Sequence, residues 1–188
     1  MESLAHLPPP NSNTLLACLV LAMLMSPALG SHHSLPERAT AQIRWPKAPN
    51  EFLAAHNRAR AAVHVGLLKW SQKLAKEASR LVSYQRDRRS CQFADLSSTK
   101  YGANQGGGGY NMSPRQAVNM WVKEGQFYNH AKNSCAPGHH CGVYTQVVWN
   151  TTSELGCAQA RCVKGTTATS LTICFYFPPG NYQGESPY

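Results

Sequence analysis

Chemistry in this 188-residue chain would have to come from its seven cysteines, eight histidines and nine carboxylates, and their spacing limits what that chemistry can be. Six cysteines, Cys91, Cys135, Cys141, Cys157, Cys162 and Cys174, crowd the second half, and no two form a C-x-x-C pair. Structural zinc clusters are built on such close pairs, so an even set without them points to three disulfides in an oxidising compartment. His139 and His140 stand side by side a few residues before the run GVYTQVVW (142–149) and read as exposed loop histidines. His56, beside Asn57, falls within a helical pattern and reads as a packing or hydrogen-bonding residue. No H-E-x-x-H, G-x-S-x-G or close carboxylate pair is present, so neither a metal-assisted nor a nucleophilic hydrolase is indicated. The chain reads as a non-enzyme without a cofactor. The glycines from Gly106 to Gly109 are not followed by Gly-Lys-Ser/Thr and read as a flexible loop, not a phosphate cradle.

Elements able to position these residues follow from periodicity. Asn50 is a candidate N-cap for a first helix, EFLAAHNRARAAV, ending near Gly66. Ser71 can cap a second, in which Leu74, Ala75, Ala78, Leu81 and Val82 share a face. Ser113-Pro114 opens a third, with Ala117, Val118, Trp121 and Val122 on its apolar side. The period then changes: Val143, Thr145, Val147 and Trp149 alternate with Tyr144, Gln146 and Val148, which predicts a strand. Leu155 to Cys162 and Leu171 to Phe177 predict two more. Helices first and strands later imply an α+β fold with an antiparallel sheet.

Residues 1–30 have the layout of a secretory signal: a polar start, the apolar run Thr14 to Met25, Pro27, and a small-residue exit at Gly30. Residues 31–49 read as an extended lead-in, and 50–188 as a single domain. The apolar run is too short to span a bilayer, and no second one exists. Removal of the signal takes Cys18 and Glu2 with it, raising the formal net charge from +9 to +10. Such a charge favours acidic partners, outside the cell an acidic wall polysaccharide or anionic lipid rather than nucleic acid. The expected state is a monomer. Asn150-Thr151-Thr152 is an N-glycosylation acceptor, and Asn111-Met112-Ser113 a poorer one because Pro114 follows.

Four ordered motifs carry a family resemblance: AHNRAR (55–60), GAN (102–104), GVYTQVVW (142–149) and CFYFPPGNY (174–182). With WVKEGQFYN, ELGCAQARC and the ending GESPY, the chain from Phe52 to Tyr188 resembles the CAP superfamily, in its plant pathogenesis-related class 1 branch. The likeness is greatest to style- or pistil-specific members. The resemblance implies a three-layer α-β-α sandwich and the pairings Cys91–Cys162, Cys135–Cys141 and Cys157–Cys174.

Many members of that family hold a divalent metal with two histidines and two glutamates. At the matching positions this chain has Leu96 (Asp95 with the loop shifted by one), Ala103, Glu124 and Val143, so the resemblance implies a degenerate cleft without a metal. The family's lipid-binding loop matches Gln126 to Cys141, where Phe127 and Tyr128 supply aromatic surface for a sterol or other lipid. The resemblance thus implies a defence or reproductive-tissue protein acting through lipid binding. Two alternatives stand beside it: a precursor releasing the extended, accessible peptide Pro178 to Tyr188, and a basic cell-wall-associated protein.

Overall fold

A computed structural model describes residues 48–108, 112–164 and 167–188. The signal and residues 31–47 of the lead-in lie outside these, as does Asn111. The first helix, α1 (Ala48–Ala62), starts two residues ahead of the expected cap. Asn50 is therefore helical, and Pro49 occupies the first turn, where its missing N–H leaves no hydrogen bond unmade. A two-residue strand β1 (Lys69–Trp70) leads into α2 (Gln72–Arg88), and Ser71 precedes that helix without a side-chain capping bond.

Gly106 to Gly108 of the expected glycine loop are instead part of strand β2 (Gly102–Gly108), whose register partners are Ser170 to Tyr176, and Gly109 lies outside the described residues. Backbone pairing along seven residues holds a segment whose side chains offer no strand preference. Ser113 then caps α3 (Pro114–Lys123) through a reciprocal capping box with Gln116.

After α3 the chain makes a 3-10 turn (Glu124–Phe127), the short strands β3 (Tyr128–Asn129) and β4 (Ser134–Cys135), and helix α4 (Gly142–Val147). GVYTQVVW is therefore helical at its start, where its alternation predicted a strand. The run fits both periods: Tyr144, Val147 and Val148 also stand at i, i+3 and i+4, and all three are buried in the core. Packing against α1 and α3 decides between the two patterns, since among the described residues the segment pairs with no strand.

Long strands β5 (Glu154–Lys164) and β6 (Thr167–Phe177) complete a four-stranded sheet ordered β1-β5-β6-β2. Its three long strands are antiparallel, and β1 adds two parallel pairs at one edge. Alternation along β5 and β6 sends side chains to two layers. Leu155, Cys157, Cys174 and Tyr176 join Phe52, Trp121 and Val147 of the helices on one face. Ala160, Cys162, Leu171, Ile173 and Phe175 meet Leu74, Ala78 and Val82 of α2 on the other. Gly156 lies where α2 approaches closest. A Cβ there would press into the Ala75 nitrogen and the Leu74 backbone, so only glycine lets the helix seat on the sheet.

The cysteines pair as Cys91–Cys162, Cys135–Cys141 and Cys157–Cys174, with Cα separations of 6.2, 5.8 and 4.0 Å. Cys157 and Cys174 are direct register partners, so their bridge staples neighbouring strands within the core. No helix among the described residues is long and apolar enough to cross a membrane.

Candidate functional site

The loop from Gln126 to Cys141 is a folded unit. The Ala136 N–H donates to the Phe127 carbonyl at 2.8 Å, and Asn129 Oδ1 accepts from the Lys132 N–H at 3.1 Å. The Cys135–Cys141 disulfide joins its far end to the start of α4. Phe127 and Tyr128 are both half-buried, and they face different partners. The Phe127 ring stacks on the exposed His139, with centroids 3.6 Å apart and planes 14° from parallel. Tyr128 turns to the core layer of α3 and α4, 5.9 Å from the Tyr144 ring and 6.4 Å from Tyr188. Its hydroxyl donates to Asn133 Oδ1 at 2.8 Å.

The C-terminal segment covers one side of this loop. Tyr188 stacks on His130 at 4.4 Å, and its hydroxyl meets that of Tyr144 at 3.0 Å. Asn133 Nδ2 donates to the Glu185 carbonyl, and the Asn150 N–H donates to the Pro187 carbonyl at 2.7 Å. Asn181 Nδ2 donates to the Gly142 carbonyl at 2.8 Å, and its Oδ1 accepts from the Thr145 hydroxyl at 2.6 Å. The sequence predicts an extended, accessible segment from Pro178 to Tyr188. Residues 181–186 are exposed, whereas Pro187 is buried and Tyr188 half-buried. Sequence reasoning missed His130, Tyr144 and Tyr188 as neighbours of Tyr128. The recurrence of aromatics at both ends of the loop and at the chain terminus was the only available signal.

Of the four positions of the degenerate cleft, Glu124 and Val143 are in direct contact. Leu96 and Ala103 pack into the layer beneath α2, while Val143 packs against the opposite layer. Glu124 caps the end of α3 and takes a hydrogen bond from the Val143 N–H. Burial raises the Glu124 pKa, opposed by nearby His140 and by the Val143 N–H. Its Oε2 is buried without a hydrogen-bond partner. At these four positions one carboxylate and three hydrocarbon side chains are not a donor set for a divalent metal, which needs several oxygen or nitrogen ligands. Among the described residues no group of three or more His, Cys, Asp or Glu is placed to hold one.

His56 is fully buried, and both ring nitrogens are engaged. Nδ1–H donates to the Phe52 carbonyl at 2.8 Å, so Nε2 accepts the Tyr176 hydroxyl proton, also at 2.8 Å. Asn104 Nδ2 donates to the Tyr176 oxygen at 3.1 Å and to the Val143 carbonyl at 2.9 Å, linking α1, β6, β2 and α4. Burial pushes the His56 pKa down to about 4 from an ordinary 6.5. Between those values the unfolded chain takes up a proton that the folded chain refuses. The stabilising effect of neutral His56 is therefore complete above about pH 6.5 and is lost as pH falls towards 4, at a total cost of roughly 3 kcal/mol. Urea unfolding across this window should show that loss in the wild type, and a flatter profile in His56→Gln. Parallel profiles would remove His56 as the cause.

The geometry has counterparts among known proteins. The family described as "CAP: Cysteine-rich secretory protein family" matches residues 53–177. The STS14 protein of Solanum tuberosum is 55% identical over 76% of this chain and 66% of its own length, so the chain spans just under two thirds of that relative. Pathogenesis-related protein PR-1 type of Sambucus nigra is 43% identical over 74% of the chain and 81% of the relative. Pathogenesis-related protein 1A of Nicotiana tabacum is 44% identical over 73% and 79%. Among solved structures, Schistosoma mansoni venom allergen-like protein 4 superposes with a TM-score of 0.60 at 24% identity, covering 77% of this chain and 95% of that one. At that identity the likeness speaks for the fold. The matched span, the disulfides and the sandwich agree that this chain belongs to the CAP (cysteine-rich secretory protein) family, in its plant pathogenesis-related class 1-like branch.

Proposed function

We propose that this chain is a secreted, non-enzymatic defence protein that binds a sterol or related lipid at the loop Gln126 to Cys141. The observation that carries the reading is the state of Phe127 and Tyr128. Neither ring is absorbed fully into the core, yet both are held by a ring stack, a hydrogen bond and a short disulfide. Pre-positioned, partly exposed aromatic surface suits a rigid apolar ligand, because little side-chain entropy remains to be lost on binding. The non-enzymatic part rests on the cleft, where three of four positions carry hydrocarbon side chains, and on His56, whose nitrogens are both occupied.

Secretion agrees with three disulfides and with the layout of residues 1–30. Asn150 is exposed, but Thr152 of its acceptor is buried with its hydroxyl donating to the Pro178 carbonyl at 2.9 Å. A glycan there would have to be attached before the fold closes. Release of Pro178 to Tyr188 as a peptide would require breaking the tail's contacts with α4 and β3–β4, which makes it the weaker alternative.

The test is binding of a fluorescent sterol to the secreted, oxidised protein, with Phe127→Ala and the Phe127→Ala/Tyr128→Ala double variant alongside. Saturable binding weakened at least about tenfold in the double variant is expected. Equal binding by wild type and variants would move the site elsewhere, and no binding by the wild type would reject the lipid reading.

A further inference from the structure

A second cleft lies between the end of α2 and strands β5 and β6, with a volume of about 610 Å3. That is within the size range of small-molecule sites, about 300–1,000 Å3. Neither Phe127 nor Tyr128 lines it. Its floor includes Gly107 and Gly108, which leave the edge of β2 free of side chains. The exposed Phe93 ring lies over Gly107, where an added Cβ would come 3.3 Å from Phe93 Cε1. The Cys91–Cys162 disulfide fixes one wall.

Among the described residues, every ionisable side chain lining this cleft is an arginine. Arg161 is exposed, and its side chain has no hydrogen-bond or ion-pair partner among the described residues. Arg86 is held by its neighbour Asp87 at 2.7 Å, an exposed pair that an incoming carboxylate can replace at small cost. Register fixes the relation between floor and wall: Ser170 of β6 pairs with Gly108 on one side and Arg161 on the other. Arg161 thus stands two strand spacings, about 10 Å, from the glycine floor.

We propose that this cleft binds an acidic polysaccharide, a polyuronate chain. A guanidinium fork matches a carboxylate with two parallel hydrogen bonds. An exposed aromatic ring over a side-chain-free floor accepts the apolar face of a sugar ring, a requirement that a phosphate or lipid headgroup does not have. The assignment gives the chain's net charge of +9 a specific place of contact. It is independent of the lipid reading.

The experiment measures binding of a defined-length galacturonate oligomer to the secreted, oxidised protein at low salt. Its methyl-esterified form and vesicles of phosphatidylserine in phosphatidylcholine are the comparison ligands. Arg161→Gln and Phe93→Ala, both at exposed positions, should each weaken oligomer binding, the first roughly tenfold. Arg58→Gln, an exposed arginine on α1, should stay within about twofold, as should Phe127→Ala/Tyr128→Ala. The esterified oligomer should bind poorly. Equal losses in Arg58→Gln and Arg161→Gln would reduce the effect to diffuse charge and overturn the site. Capture by anionic vesicles without oligomer binding, or no binding at all, would overturn the proposal itself.

Discussion

Replacing Arg60 with methionine is expected to lower the free energy of unfolding by at least about 4 kcal/mol, a large part of the roughly 5–15 kcal/mol that a domain has. Arg60 is fully buried in the first helix, and every partner it has is a backbone carbonyl. Nε donates to Gly66 at 2.6 Å; Nη1 to Val147 at 3.1 Å and Trp149 at 2.8 Å; Nη2 to Thr152 at 2.9 Å and Asn150 at 3.4 Å. The carbonyls of Val147, Trp149 and Asn150 gather around the C-terminal end of α4, so one guanidinium closes that helix and ties it to α1. Burial lowers the Arg60 pKa to about 10, which leaves it charged at neutral pH. Methionine fills most of the volume but abandons all five acceptors; the three buried ones, on Val147, Trp149 and Thr152, each cost on the order of 1–3 kcal/mol when left without a donor.

Arg60→Lys separates two explanations. If the position needed only a positive charge near a helix C-terminus, lysine would restore it. A single ammonium cannot reach carbonyls spread over a planar fork, so Arg60→Lys should also lose about 2 kcal/mol or more. A urea midpoint for Arg60→Lys close to wild type would show that charge, not fork geometry, is what the site requires. The AHNRAR motif displays this arginine openly, but nothing in the sequence says that four of its five carbonyl partners lie some ninety residues away.

Local signals were read most accurately where a few adjacent residues settle the matter. Ser113-Pro114 with Gln116 makes a complete capping box, and the apolar faces of α2 and α3 are the buried ones. Leu155 to Cys162 and Leu171 to Phe177 fall inside β5 and β6. Failures occurred where tertiary contact overrides a local preference. Val143 to Trp149 carry β-branched residues in alternation, yet burial against α1 and α3 winds their first part into α4. Glycines 106–108 have no preference of their own and become strand because β6 pairs with them. The aromatic residues at Phe127 and Tyr128 were legible as a site by type. Their partners were not, because His139 and Tyr188 reach them only through a disulfide-closed loop and a folded-back tail.

Removing the Cys91–Cys162 bridge by Cys91→Ala/Cys162→Ala is expected to cost about 4 kcal/mol, against about 2 kcal/mol for Cys135→Ala/Cys141→Ala. The difference follows from the separations of 71 and 6 residues, since a longer closed loop removes more freedom from the unfolded chain. The native contacts act in the same direction. Cys162 is buried in the layer under α2, and Cys91 follows the left-handed residue Ser90 just past the end of that helix. The bond therefore anchors the exit of α2 to β5. Chemical unfolding of both double variants tests the ranking, which reverses if local fixation matters more than loop length. Function should split the other way: losing the short bridge frees the Phe127–His139 stack while leaving the sheet intact. Cys135→Ala/Cys141→Ala is then expected to lose sterol binding while keeping most of its stability, and Cys91→Ala/Cys162→Ala to loosen the arginine-lined cleft instead.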